Sequence, residues 1–279
     1  MFSVRPLAVF IITGSTFLVP WVSEAAVLSY DGFDYTPAGS DLLGNSGGLG
    51  FGTAWRPGGF NASNNANYDV QSGSLNFGAL LKSGNRIQTD ALGAIAGLTR
   101  DFSTPLGTPG TTRYASFLLR PEGTLQGGAF NGFFGIVFEQ PLEPELFIGK
   151  PGATAIDRYV LEDRGGALQV ASNVAPVVGQ TVFLVVKAEF AAGNDRFTLY
   201  VNPTPGAPEP VTGIVKNNSD IGTVAGVTLY STGAFSIDEF RLGETFVDVT
   251  PTIPEPSFSA MALAVVSALL WLRLRGSRR

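Results

Sequence analysis

Thr181-Val182-Phe183-Leu184-Val185-Val186-Lys187-Ala188-Glu189-Phe190, then Gly193-Asn194-Asp195, then Arg196-Phe197-Thr198-Leu199-Tyr200-Val201 decides the fold. Val182, Leu184, Val186, Ala188 and Phe190 fall on one face of an extended chain, and Phe197, Leu199 and Val201 answer them on the return. Glycine, asparagine and aspartate between the two arms are turn formers. The stretch is therefore an antiparallel hairpin with one face in a core.

Working outward, the same short alternating runs recur. Strands are expected at Val27–Tyr30, Asn85–Thr89, Leu98–Phe102, Arg113–Arg120, Phe133–Phe138, Leu146–Gly149, Tyr159–Glu162, Leu168–Ala171, Val227–Tyr230 and Ala234–Leu242. Ser72-Gly73 predicts a second hairpin joining Tyr68–Gln71 to Ser74–Phe77. Thr36–Asn67 is too long for a hairpin loop and is expected to lie over one end or face. Roughly twelve strand candidates, 35 glycines, 18 prolines and no helical periodicity in the body give an all-β class, a two-sheet antiparallel sandwich of jelly-roll type.

The last strand carries a phase slip. Phe235 and Ile237 share one face, whereas Phe240 and Leu242 fall on the other. One extra residue near Asp238-Glu239, a β-bulge, lets all four point inward and re-aims one of the two acids.

Absences bound the chemistry. The chain has neither histidine nor cysteine. That removes Ser-His-Asp and Cys-His catalysis, the usual zinc ligands and disulfides. Carboxylate acid–base work and oxygen ligation of Ca2+ remain. Taking Arg5, Glu24 and the four C-terminal arginines from 18 basic and 23 acidic residues leaves 13 and 22 in the body, a net charge near −9. Nucleic acid is not a partner for such a surface.

The ends read as addresses. Met1–Ala26 combines Arg5, an apolar stretch from Leu7 to Val19 and small residues at Ser23 and Ala25, the features of a secretory signal peptide cut after Ala25. At the other end Pro254-Glu255-Pro256 precedes the uncharged run Ser257–Leu272, followed by Arg273, Arg275, Arg278 and Arg279. As a helix that run rises about 24 Å, short against a hydrocarbon core of about 30 Å. The arginines mark the cytoplasmic side. The expected layout is a signal peptide at 1–25, a sandwich at 26–248, a linker at 249–256, and a transmembrane helix with its Arg-rich end at 257–279.

Two resemblances follow. Pro254-Glu255-Pro256, the apolar run and the Arg cluster together resemble the PEP-CTERM sorting signal of Gram-negative bacteria. The resemblance implies export, transient residence in the inner membrane, cleavage by an exosortase, and delivery to the cell surface or an extracellular polysaccharide matrix. The body is similar to concanavalin A-like, laminin G-type sandwiches. The similarity rests on Tyr30-Asp31-Gly32-Phe33-Asp34-Tyr35, on Arg196–Pro203 and on Phe235-Ser236-Ile237-Asp238-Glu239-Phe240-Arg241-Leu242-Gly243. That family holds lectins, adhesion modules and glycosidases, so the fold does not by itself name an activity.

Three candidate groups arise. Asp31, Asp34 and Asp238 converge on a Ca2+ site if the first and last strands pair. Trp55, Phe60 and Tyr68 would form a sugar-stacking surface. Glu139, Glu143 and Glu145 come nearest to a carboxylate pair, but Pro141 and Pro144 place them in a loop, where glutamates are ordinarily solvated. The leading expectation is an exported surface or matrix protein with a non-catalytic, glycan-binding or structural body. The alternatives are a carboxylate-dependent polysaccharide hydrolase or lyase and a permanently anchored envelope protein.

Overall fold

The computed structural model describes residues 27–36, 39–59, 68–90, 94–126, 129–140, 145–152, 157–164 and 167–253. The signal peptide with Ala25, the Pro254-Glu255-Pro256 motif, the apolar run, the C-terminal arginines, Phe60 and Glu143 lie outside the described residues. Among the described residues no helix is long and apolar enough to cross a membrane.

Fifteen strands appear among the described residues: β1 (Val27–Asp31), β2 (Arg56–Pro57), β3 (Tyr68–Gln71), β4 (Arg86–Thr89), β5 (Ala96–Leu106), β6 (Thr112–Pro121), β7 (Phe134–Glu139), β8 (Leu146–Lys150), β9 (Val160–Asp163), β10 (Ala167–Ala171), β11 (Val182–Glu189), β12 (Asp195–Val201), β13 (Ile214–Ser219), β14 (Val224–Ser231) and β15 (Phe235–Gly243). One short helix, α1 (Phe246–Val249), follows, with Thr245 and Asp248 forming a reciprocal capping box.

The strands form two antiparallel sheets. One has eight strands in the order β13-β12-β11-β6-β15-β4-β3, with β1 also paired to β15. The other has seven in the order β10-β9-β8-β7-β14-β5-β2. The fold is therefore an all-β, two-sheet antiparallel sandwich. The deciding hairpin is β11–β12, paired from Leu184↔Val201 to Glu189↔Arg196. Its alternation resolves as read, for Val182, Leu184, Val186, Ala188, Phe197 and Leu199 all belong to the core between the sheets.

The expected bulge is present. On β15, Asp238 opposes Leu118 and Arg241 opposes Ser116, so three steps on one strand answer two on the other. Glu239 takes a φ of 57°, the left-handed region that a non-glycine residue enters only under constraint. Phe235, Ile237, Phe240 and Leu242 consequently all enter the core.

The hairpin expected at Ser72-Gly73 does not form. β3 pairs instead with β4, from Tyr68↔Thr89 to Gln71↔Arg86, and residues 72–85 make a long loop between them. The reason lies in the bulge. The Leu75 backbone N–H donates to the Asp238 carboxylate at 2.7 Å, and the Ser83 N–H donates to Glu239 at 2.5 Å. Arg241 donates to the Leu81 carbonyl at 2.6 Å. Capturing the loop satisfies more buried polar groups than a local hairpin would.

That loop covers the outer face of the eight-stranded sheet. Leu75 and Leu80 join Tyr114, Leu118, Phe183, Val185, Phe246 and Val249 in a second apolar cluster. The segment expected as a linker is partly structural. Val249 and Thr250 are buried, Leu81 N–H donates to the Pro251 carbonyl at 2.8 Å, and Ile253 N–H donates to the Ala79 carbonyl at 3.0 Å. Backbone pairing with the 72–85 loop thus extends to Ile253.

Candidate functional site

The expected Ca2+ ligands are placed apart. Asp31, at the end of β1, is buried beneath Arg100 of β5, whose Nη1 donates at 2.7 Å. It also accepts from Tyr35 Oη at 2.6 Å, Trp55 Nε1 at 3.1 Å and the Phe33 N–H at 2.9 Å. Burial pushes the Asp31 carboxyl upward, opposed by Tyr35 and Arg100. Four donors leave no coordination sphere for a cation. β1 does pair with β15 as the convergence required, but Asp31 faces Phe240 there, while Asp238 is turned to Leu75. Among the described residues no group of three or more acids, Asp34 included, is arranged to hold a metal ion.

The sugar-stacking surface is also corrected. Trp55 is buried and stacks on Phe33, with ring centroids 6.0 Å apart. Tyr68 is fully buried and donates to the Ala96 and Leu229 carbonyls at 3.1 and 3.0 Å. Both rings are enclosed by the sandwich, and neither offers a face to a ligand.

What the fold does assemble lies on the outer face of the seven-stranded sheet. β7 and β8 pair up to Phe138↔Leu146, so one step further Glu139 faces Glu145. The next pair outward is Glu145 and Arg164, joined by the Arg164 N–H to the Glu145 carbonyl at 2.8 Å. On the other side Glu139 opposes Gly226, and Gly226 opposes Asp101. One row across five strands therefore reads Arg164, Glu145, Glu139, Gly226, Asp101. The adjacent row reads Glu162, Phe147, Val137, Thr228, Thr99, Arg56.

Gly226 lets β14 run close against β5 between Glu139 and Asp101. A Cβ there would meet the Arg100 carbonyl oxygen at 2.3 Å, so no other residue fits without moving β5. Around Gly226 the polar groups are paired. Thr228 donates to Glu139 and also shares a hydrogen bond with Thr99. The Arg164 guanidinium lies against Glu145, and Arg56 binds Asp101 at 2.6 Å. Gln169 donates to Glu162 at 2.5 Å. Tyr230 and Phe133, with centroids 4.8 Å apart, close the apolar end of the face.

Facing residues on paired strands hold their Cβ atoms about 4.5–5.5 Å apart. Two carboxylates at that spacing in a half-buried site cannot ionise independently. Burial, then the Glu139 charge, pushes the Glu145 carboxyl up to about 7. Burial also raises Glu139, but the Thr228 hydroxyl and the Arg56 charge favour its anion. Glu162 is pushed up to about 7, again chiefly by burial. Burial thus pushes both facing carboxyls toward the protonated form, with Thr228 and Arg56 opposing the rise at Glu139.

The segment Glu139–Glu145 was readable only as a proline-broken loop. Nothing local says that its two ends sit opposite each other, because that follows from the β7–β8 register. A residue count gives the signal in hindsight. In a hairpin from Phe134 to Lys150, positions summing to 284 face one another, and 139 with 145 is such a pair.

No family model and no curated protein matches the chain. Among solved structures it is similar to an endo-1,3-β-glucanase from Streptomyces sioyaensis, with a TM-score of 0.46 and 10% identity over 79% of this chain and 96% of that one. It is similar to an endo-β-1,4-glucuronan lyase from the fungus Trichoderma reesei, at 0.45 and 11% over 76% and 96%. A third is the globular domain of T. cruzi calreticulin, at 0.45 and 11% over 80% and 90%. Likenesses at this level carry no argument about the chemistry of this chain.

Proposed function

We propose that the chain acts on polysaccharide, with the outer face of the seven-stranded sheet as its working face and Glu139 and Glu145 as a hydrolytic carboxylate pair. The observation that carries this reading is their opposition on adjacent strands of one sheet face, with burial raising both carboxyls. Unequal environments for two neighbouring carboxyls separate an acid from an anion. Carboxyl groups about 5 Å apart suit double displacement with retention, and inversion needs about 6.5–9.5 Å; facing side chains, with Cβ atoms about 4.5–5.5 Å apart, fit the shorter spacing.

Glu145 gives its proton to the glycosidic oxygen as the bond to the anomeric carbon breaks. The Glu139 carboxylate attacks that carbon and forms a glycosyl ester. Water, deprotonated by Glu145, then releases the sugar and restores both groups. Arg164 stabilises the Glu145 anion between the two steps, and Thr228 orients Glu139. Incubating the full chain with a panel of polysaccharides and counting new reducing ends tests the reading. Ends must appear with the native chain and vanish with Glu139→Gln.

A second reading is supported by the termini. Pro254-Glu255-Pro256, the run Ser257–Leu272 and the arginines suit an exported protein that is held briefly in the membrane and then released to the surface or matrix. In that reading the row binds glycan without cutting it, since Arg164 and Thr228 already occupy both carboxylates. Intact mass of protein recovered from its native host separates release from permanent anchoring. A mass ending near Pro256 supports release, and one including Arg279 supports the anchor.

A further inference from the structure

A recess away from this face lies where the two sheets part company at one edge. Its volume is about 300 Å³, and its walls come from Leu28 and Ser29 of β1, the end of β5, Arg113 of β6, Leu242 of β15 and Glu244 just beyond it. Gly50 completes the wall. β1, β6 and β15 belong to the eight-stranded sheet and β5 to the other, so the recess is a crevice between the sheets.

Its chemistry is mixed in an ordered way. Leu28, Leu106, Leu242 and Pro105 supply apolar surface, while Ser103, Thr104, Thr108 and Thr111 bring hydroxyls to the rim. Among the described residues the Ser103 and Thr104 side chains have no protein partner. The charges cancel, for Arg113 and Glu244 face each other at 3.5 Å. Gly50 is obligatory, because a Cβ there would meet the Leu28 carbonyl oxygen at 1.9 Å. Gly107 is held likewise against the Gly222 carbonyl oxygen at 2.1 Å. The walls are thus built from close backbone approaches that side chains would abolish.

We infer that this crevice is a binding site for a single neutral sugar ring, separate from the Glu139–Glu145 face. A pyranose presents one apolar face and a rim of hydroxyls. Apolar surface with a few placed polar groups is what a pocket for such a ligand requires. The charge balance disfavours an anionic guest, since a uronate would oppose Glu244. A volume of about 300 Å³ admits one ring and not a chain. The crevice therefore takes a free monosaccharide or a terminal residue.

The test uses the full chain and saturation-transfer NMR with methyl glucoside, methyl galactoside, methyl mannoside and glucuronate. The expected result is transfer to at least one methyl glycoside and none to glucuronate. Thr104→Trp, at an exposed rim position, fills the crevice and abolishes the transfer, and Arg113→Ala weakens binding at least tenfold. Glu145→Gln leaves it unchanged, so the inference stands or falls independently of the proposed hydrolysis. It is overturned if no methyl glycoside binds, if glucuronate binds equally, or if Thr104→Trp binds as well as the native chain.

Discussion

Replacing Asp31 by alanine removes the acceptor shared by Arg100, Tyr35, Trp55 and the Phe33 amide. Arg100 is 2% exposed and its carboxylate partner 1%, so the pair is desolvated and the remaining guanidinium has no route to water. Arg100 would keep its bonds to the Thr53 carbonyl at 2.8 Å and the Gly47 carbonyl at 2.6 Å. Those carbonyls are neutral and do not balance the charge. Breaking a buried pair from one side costs about 3–5 kcal/mol. Such a loss is a large part of the roughly 5–15 kcal/mol that holds a domain together. With a urea slope of about 2–3 kcal/mol/M, the unfolding midpoint falls by about 1–2 M. In a body of residues 26–253, which leaves out Trp21 and Trp271, emission reads the site directly, because Trp55 is then the sole tryptophan and its indole N–H donates to Asp31. Replacing both partners, with Asp31→Leu and Arg100→Met, should recover at least about 1 kcal/mol relative to Asp31→Ala, since no charge remains buried. A midpoint shift below about 0.3 M for Asp31→Ala, with unchanged Trp55 emission, would refute the reasoning.

Three further outcomes follow. Asp238 is pushed up to about 9 by burial and then by the Glu239 charge. Its unfolded value is about 3.9, so the stability it contributes is complete below that pH and is lost as pH rises toward 9. Urea titrations at pH 5 and pH 9 should therefore show Asp238→Asn gaining on the native chain by at least about 1.4 kcal/mol, the equivalent of one pKa unit; equal differences at both pH values would count against this. Hydrolysis, which needs the Glu145 proton, should decline as pH rises through about 7, and a rate that holds level through that pH would count against the assignment. A body ending at Asp248 should melt below one ending at Ile253, because Ser116 Oγ loses the Val249 carbonyl it binds at 2.7 Å and the Leu81 and Ile253 backbone bonds vanish; equal melting temperatures would make the strap a mere linker.

How far the sequence could be read depended on the range of the forces involved. The β11–β12 hairpin and the bulge at Asp238-Glu239 were legible because alternation is local, and a single phase slip has a single cheap remedy. The strand expected at Ser74–Phe77 was not, because its competitor was the bulge itself, about 160 positions away, offering Asp238, Glu239 and Arg241 to the loop's backbone. Trp55 and Tyr68 looked like a platform because an aromatic in a glycine-rich loop has no periodicity to mark it as core. Arg100 is the residue no pattern announced, a charge inside a strand whose partner is fixed only by the packing of β1 against β5. The pairing of Glu139 with Glu145 was hidden in the same way, by register and not by composition.

The most direct test of the proposed chemistry is a single measurement. The purified full chain and its Glu145→Gln variant are incubated with the same polysaccharide panel, and the anomeric configuration of the first product is read by NMR. Retained configuration from the native chain, with no product from Glu145→Gln, is the expected result. Product of inverted configuration, equal product from the variant, or no product from any polysaccharide would contradict the assignment of Glu139 and Glu145 as a hydrolytic pair.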